Sequence, residues 1–410
     1  MSTTPDLHRT AAELDAADPL RAHIERFVPA PGVTAYLDGN SLGRPLRATQ
    51  TRLAEFVRDA WGTRLIRAWD EGWMERPFEL GDRIARAALG AAAGQTIVAD
   101  STTVLLYKLL EAAVAARPGR REIVVEETNF PTDRFVAAAV AERHGMTLRR
   151  IPADPVDGVT TADVAAAVGD DTAVVVLSHV DYRSGVIADL AAITAVAHDA
   201  GALILWDLCH SAGAVPIGLD AAGADLAVGC TYKYLNGGPG SPAFAYVAAR
   251  HQDALRPPIE GWMGAADVFA MGGAYEPGAG MRRFISGTPP ILAMLAMEDM
   301  LDLLDEAGLD AVRAKSVSLT SFTIDAADAL LAGYGVRVLS PRDAGRRGGH
   351  VTLGHPDSAR IVERLWGEGV IPDFRHPDGI RLGLSPLSTT HAEALDGVLA
   401  IRAALEGSNR

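Results

Sequence analysis

Cysteine is scarce. The 410 residues include two, Cys209 and Cys230. A secreted chain of this length usually carries more, in pairs, so both are read as free thiols in a reducing compartment. Long apolar runs are missing as well. No stretch approaches the roughly 18 residues that span a bilayer, and the start, MSTTPDLHRTAAELDAAD, is polar and acidic without an apolar signal core. A cytoplasmic protein is expected, with no membrane partner. Positive charge is in deficit: 38 Lys and Arg against 52 Asp and Glu give a net charge of −14. That disfavours general binding to nucleic acid. The 11 histidines form no H-E-x-x-H and there is no paired-Cys arrangement, so no metal site is expected. There is no G-K-[ST] loop, and GGPGSPA (237–243) matches G-x-G-x-x-A only loosely, without a strand leading directly into a helix. Internal repeats and low-complexity tracts are also missing.

What is present is ordinary globular composition, 48% apolar and 22% charged, with material for one large or two modest domains. REIVVEE (121–127), TAVVVLS (172–178), ALILWDL (202–208), DLAVGC (225–230) and AFAYVA (243–248) read as strands, several of them apolar throughout, as strands covered on both faces are. LLYKLLEAAVAAR (105–117), PTDRFVAAAVAERHG (131–145) and DLAAITAVAHDAG (189–201) carry apolar residues at helical spacing, with Gly145 and Gly201 where C-caps belong. The alternation predicts an α/β fold with a mainly parallel sheet. From Thr288 the pattern changes. TPPILAMLAMEDMLDLLDEAG predicts a long helix with Thr288 as N-cap and Pro289 at the first helical position. Residues 45–287 are expected to form a large domain, and 1–44 with 288–410 a smaller α+β domain.

Candidate chemistry clusters at the strand ends. In TYKYLNGGPGSPAF (231–244), Lys233 follows a strand by two residues, where ligands collect in open α/β sheets. It reads either as a solvated turn lysine or as a Schiff-base amine. In ILWDLCHSAG (204–213), Asp207 ends a buried strand and His210 follows. A carboxylate there needs a cationic partner, such as a protonated pyridine nitrogen; a capping Asp beside a core His is the alternative. DSTTVLLYKLL (100–110) puts Thr102 and Thr103 at a helix start, an anion site or a plain N-cap. Phe130 in NFPTD (129–133) could stack on a ring or pack before a Pro-initiated helix, and Arg381 in GIRLGLSPL (379–387) could grip a carboxylate or form a surface ion pair.

Together with YLDGNSLGRP (36–45), GWMG (261–264) and FISGTPPIL (284–292), these stretches resemble the kynureninase family, pyridoxal-phosphate enzymes of the aspartate-aminotransferase fold (fold type I). The matches run in the family's order from about residue 36 to 387. The resemblance implies pyridoxal 5'-phosphate held by Lys233, with Asp207 on the pyridine nitrogen, His210 beside it and Phe130 stacked on the ring. It implies that Thr102, Thr103 and Tyr232 hold the phosphate region with Ser178 nearby, and that Asp133 lines the cofactor site. It implies that Trp262 and Thr288 reach the cofactor from the neighbouring subunit of a homodimer, and that Arg381 grips the substrate carboxylate. The reaction implied is cleavage of L-kynurenine by water to anthranilate and L-alanine, with Tyr232 either a proton shuttle or a phosphate contact. Trp61, Gly287 and Thr288 at the aryl end follow the bacterial pattern, which points to kynurenine over 3-hydroxykynurenine; a hydrolase of hydroxylated or methylated kynurenines keeps the same framework. Ser388 departs from the aromatic residue many relatives carry there. A cysteine desulfurase or class V aminotransferase shares the fold and cofactor, but a desulfurase needs a late nucleophilic cysteine and none follows Cys230.

Overall fold

The computed structural model describes residues 4–270 and 272–408. Its centre is a seven-stranded sheet. In chain order the strands are β1 (Thr96–Ala99), β2 (Glu122–Glu126), β3 (Thr147–Ile151), β4 (Thr172–Ser178), β5 (Leu203–Asp207), β6 (Leu226–Gly229) and β7 (Ala243–Val247). They lie side by side as β1-β7-β6-β5-β4-β2-β3. Pairings from β3 through β6 are parallel, and β7 runs antiparallel to both its neighbours. β4 and β5 are buried on both faces, which is why their Val and Leu runs do not alternate with polar residues.

Three helices cover strand connections: α1 (Thr102–Ala115), α2 (Pro131–His144) and α3 (Leu190–Asp199). α1 is capped by the Ser101 side chain, which accepts from Val104 N at 3.4 Å. α2 opens on Pro131 and closes on Gly145 at φ +60°, the left-handed conformation that spares a β-carbon. β1 and β3 escape a reading by hydrophobic pattern. β1 is four residues long, and the edge strand β3 (TLRRI) is mostly open to solvent, so polar residues suffice there.

Beyond the sheet lie α4 (Ile291–Ala307), α5 (Leu309–Leu331) and α6 (His391–Ser408). α4 does not start on Thr288. Pro289 and Pro290 follow in succession, and the residue before a proline is held out of the helical region, so the helix begins at Ile291 with no side-chain cap. Met294, Met297, Leu301 and Leu304 of α4 pack into one of the two cores that flank the sheet. A separate core begins at Leu319 in α5 and gathers Leu7, Leu37 and the C-terminal elements. The cores therefore place α4 with the sheet, although it lies beyond the expected boundary at 287/288, and divide within α5 between Val312 and Leu319.

The second core is built on an antiparallel sheet of β8 (Arg337–Val338), β9 (His350–Gly354), β10 (Asp373–Arg375) and β11 (Gly379–Gly383), ordered β10-β11-β9-β8. The N-terminal helix Thr4–Ala17 is fastened to it by charge. Asp15 accepts from His391 N at 2.7 Å and Ala392 N at 3.0 Å, supplying the negative group that the start of α6 needs. Asp18 and Lys315 form a buried ion pair beside it.

Candidate active site

The parallel strands end at one edge of the sheet, and the chemistry-bearing residues meet there. Asp207 closes β5 in register with Ser178 at the end of β4, and Val228 of β6 is in register with Asp207. A cavity of about 130 Å³ opens at this edge, lined by Lys233 from the loop after β6, Asp207, Phe130, Asp133, Thr102 and Thr103, together with Ser178, His210 and Tyr232.

The chain has three lysines. Lys108 and Lys315 are buried in ion pairs with Asp100 and Asp18; Lys233 lines the cavity. Its Nζ lies 2.9 Å from His210 Nε2 and 5.9 Å from the centre of the Phe130 ring. Burial first, then the positive charge of Lys233, holds the His210 imidazole well below its usual range. His210 is therefore neutral, and its Nε2 accepts from Lys233 Nζ.

Two neighbouring carboxyls, Asp133 and Asp207, line the cavity with the amine. Asp207 Oδ1 accepts from Cys209 N at 2.7 Å. Asp133, in the first turn of α2, is fully buried, and its Oδ2 has no hydrogen-bond partner. Burial, and then the neighbouring Asp207, pushes the Asp133 carboxyl well above the usual carboxylate range. Two acidic groups can stand this close in a buried site when a proton lies between them, and Asp133 is the one that carries it.

The remaining walls are set by local turns. Asn129 Oδ1 accepts from Ser178 Oγ at 2.7 Å and from Phe130 N at 2.8 Å, which fixes the loop leading into α2. Phe130 meets Tyr182 edge-on at 5.3 Å. Ser101 supplies the cap of α1, and Thr102 and Thr103 at the helix start line the cavity. Burial holds the Tyr232 phenol up, so it stays protonated across the neutral range. A primary amine, a carboxylate with a protonated neighbour, an aromatic face and hydroxyls at a helix start are what a phosphorylated pyridine aldehyde requires. The cavity holds all four.

Five sequence-predicted residues are not among those lining it: Trp61, Trp262, Gly287, Thr288 and Arg381. Trp262 and Thr288 line a different, mostly apolar cavity of about 250 Å³ at the surface, with Ile66, Met74 and Phe269. Gly287 lies next to Thr288 in the chain, and Trp61 is 51% exposed. Arg381 is buried at 0% exposure, and its guanidinium donates to Tyr182 O (2.7 Å), Ser41 Oγ (2.6 Å) and Asp373 Oδ2 (2.6 Å). To hold a ligand carboxylate it must exchange or share Asp373. Conversely, Thr132, Val180, Tyr182 and Cys209 line the cavity without having been singled out. Tyr182 carries the one readable signal, an aromatic residue in the turn that begins four residues after the end of a buried strand.

Residues 312–401 match the family model described as the kynureninase C-terminal domain. The chain is 41% identical to a kynureninase of Pseudomonas fluorescens over 392 residues, 94% of this chain and 92% of that one. It is 42% identical to a kynureninase of Burkholderia pseudomallei (strain K96243) over 402 residues, 97% and 95% of the two chains. Among solved structures, an apo cysteine desulfurase from Thermococcus onnurineus NA1 superposes with a TM-score of 0.80 at 18% identity, covering 99% of each chain. The cysteine desulfurase CsdA from Escherichia coli gives 0.79 at 18% identity, covering 94% of this chain and 98% of that one. The structural likeness carries the fold alone, whereas the sequence identity spans almost the whole length. This chain belongs to the kynureninase family.

Proposed function

We propose that this protein hydrolyses L-kynurenine to anthranilate and L-alanine with pyridoxal 5'-phosphate as cofactor. The observation that carries the reading is the cavity in which Lys233 stands with Asp207 and its protonated neighbour Asp133. Pyridoxal phosphate, when bound, supplies a sink for the electron pair released at the substrate α-carbon. The chain's own groups do the rest. Lys233 would hold the cofactor through Nζ, and its free amine would accept the substrate's α-proton. Asp207 would pair with the heterocycle nitrogen, and Asp133, which keeps its own proton, would hydrogen-bond to Asp207. His210, neutral, accepts from Nζ and orients it. Tyr232, protonated, donates near the carbonyl at which water adds, while Thr102, Thr103 and Ser178 receive the phosphate end. Arg381 takes the substrate carboxylate in place of Asp373.

The apolar surface cavity supports a homodimer. Ile66 at 78%, Phe269 at 58% and Trp262 at 46% exposure are costly to leave in water, and a second copy covering them would bring Trp262 and Thr288 to the neighbouring site, with Trp61 and Gly287 at the aryl end. Two buried free thiols fit a cytoplasmic setting. No helix among the described residues is long and apolar enough to cross a membrane.

The test is direct. The cofactor-loaded protein is incubated with L-kynurenine and with 3-hydroxykynurenine, and the aromatic amine and alanine products are followed. Turnover of kynurenine, with 3-hydroxykynurenine the poorer substrate, is expected; failure on both overturns the reading.

A further inference from the structure

Lys108 is a lysine where the sequence favours an apolar residue. It lies in α1 within LLYKLLEAAVA, a run that is otherwise almost wholly apolar, and is 0% exposed. Burying an ammonium is expensive unless oxygen atoms surround it, and here they do. Nζ donates to Asp100 Oδ2 at 3.1 Å, to Ser286 Oγ at 2.7 Å and to the Phe284 carbonyl. Ser286 Oγ donates in turn to Asp100 Oδ2 at 3.3 Å. A leucine or methionine would fill the same volume without that expense, so packing alone does not account for the residue.

Each partner of Nζ leads to a different place. Asp100 sits at φ +44°, a conformation few non-glycine residues hold without support. It immediately precedes the capping residue Ser101 and the two threonines at the start of α1. Its carboxylate is held by Lys108, and its carbonyl accepts from Ala243 N at 3.0 Å. Ser286 leads the other way. It adjoins Gly287 and Thr288 in the chain, and its backbone packs directly on Gly261, where an added β-carbon would collide with the Ser286 carbonyl. Trp262 follows Gly261. The position of Ser286 thus sets both Trp262 and Thr288, the two residues that line the apolar surface cavity together.

We propose that Lys108 is a positioning residue for two sites at once: through Asp100 it sets the phosphate cradle of its own subunit, and through Ser286 it sets the Trp262 and Thr288 surface that completes the neighbouring one. The second half rests on the homodimer reading above.

Hybrid dimers separate the halves. A wild-type subunit paired with a Lys108→Met, Lys233→Ala subunit has one working site, whose own cradle is intact and whose borrowed surface comes from the altered chain. A wild-type and Lys233→Ala hybrid is the control. The expected result is a KM for kynurenine raised roughly tenfold or more over the control. An equal KM in the two hybrids overturns the cross-subunit half. In the Lys108→Met homodimer, titration of the cofactor-free protein with pyridoxal phosphate should show affinity weakened roughly tenfold and restored in part by Lys108→Arg; unaltered affinity overturns the cradle half. If Lys108→Met does not fold, Ser286→Ala takes its place in the hybrid, with a smaller rise in KM expected and the same KM as the control contradicting the proposal. Sedimentation of the wild type comes first. A monomer refutes the homodimer reading and the cross-subunit half with it, while the cradle half is still decided by the titration.

Discussion

At the scale of single residues, the site turns on where one proton sits. Asp133 and Asp207 share a buried corner, and burial raises Asp133 most. The protonated acid is a neutral hydrogen-bond donor, which an amide imitates and a second anion does not. Asp133→Asn is therefore expected to keep kcat within about tenfold of wild type, whereas Asp207→Asn, which removes the carboxyl proposed to pair with the heterocycle nitrogen, should lower it by roughly a hundredfold or more. The sign of the pH effect follows. Asp133 is raised, so it ionises only as pH climbs, and a second negative charge then enters the corner. Activity of the wild type should fall on its alkaline side, and Asp133→Asn should lack that particular limb. A pH–rate profile of both proteins checks this. Much of this scale was legible in the sequence. Lys233, Asp207 and Thr102 stand at strand ends and a helix start, places where local chemistry shows. The ion pair of Arg381 with Asp373 was not, because it is made across a strand register, Asp373 opposite Arg381, that no spacing announces.

At the scale of elements, the lysine loop depends on a segment nearly two hundred residues away. Gly43 N donates to Tyr232 O at 2.8 Å, and a β-carbon at position 43 would come to 2.5 Å from the Lys233 carbonyl and run into the Asn236 side chain. Backbone contacts of that kind do not relax by a rotamer change. Gly43→Ala should displace the loop carrying Lys233 and lower kcat by roughly ten- to a hundredfold, with a smaller loss in melting temperature; steady-state kinetics beside a thermal melt separate the two. Strands β2, β4, β5 and β6 were readable because burial on both faces leaves an uninterrupted apolar signature. The start of α4 was misread because two successive prolines override a favourable capping residue. β7 gave the right element without its direction, since alternation of strands and helices says nothing about a strand that runs antiparallel between two others.

The whole molecule carries buried neutral histidines, and these set its tolerance of acid. His179 is fully buried beside Trp206, its Nδ1 is 3.0 Å from Ser211 Oγ, and burial lowers its pKa to about 4. Its folded value lies below the ordinary 6.5, so the unfolded chain takes up the proton first as pH falls. Stability is complete above about pH 6.5 and is lost between there and about pH 4, by on the order of 3 kcal/mol from this residue. His210 and His350 are lowered in the same direction, chiefly by burial, and add to the loss. Denaturant unfolding at about pH 7.5 and pH 5 should show a marked decrease that His179→Gln reduces; a pH-independent midpoint would contradict it. At this scale the sequence revealed an α/β sheet with a C-terminal α+β layer. The division within α5 was hidden, because one continuous helix contributes Val312 to the sheet's core and Leu319 to the other.

One amine, Lys233, is expected to hold the cofactor. With three lysines in the chain and two of them in buried ion pairs, borohydride reduction of the pyridoxal-phosphate-loaded protein followed by peptide mass mapping tests it without ambiguity. The phosphopyridoxyl mass should appear on the peptide containing Lys233 and on neither of those containing Lys108 or Lys315. A label on either of these, or none on Lys233, would contradict the account.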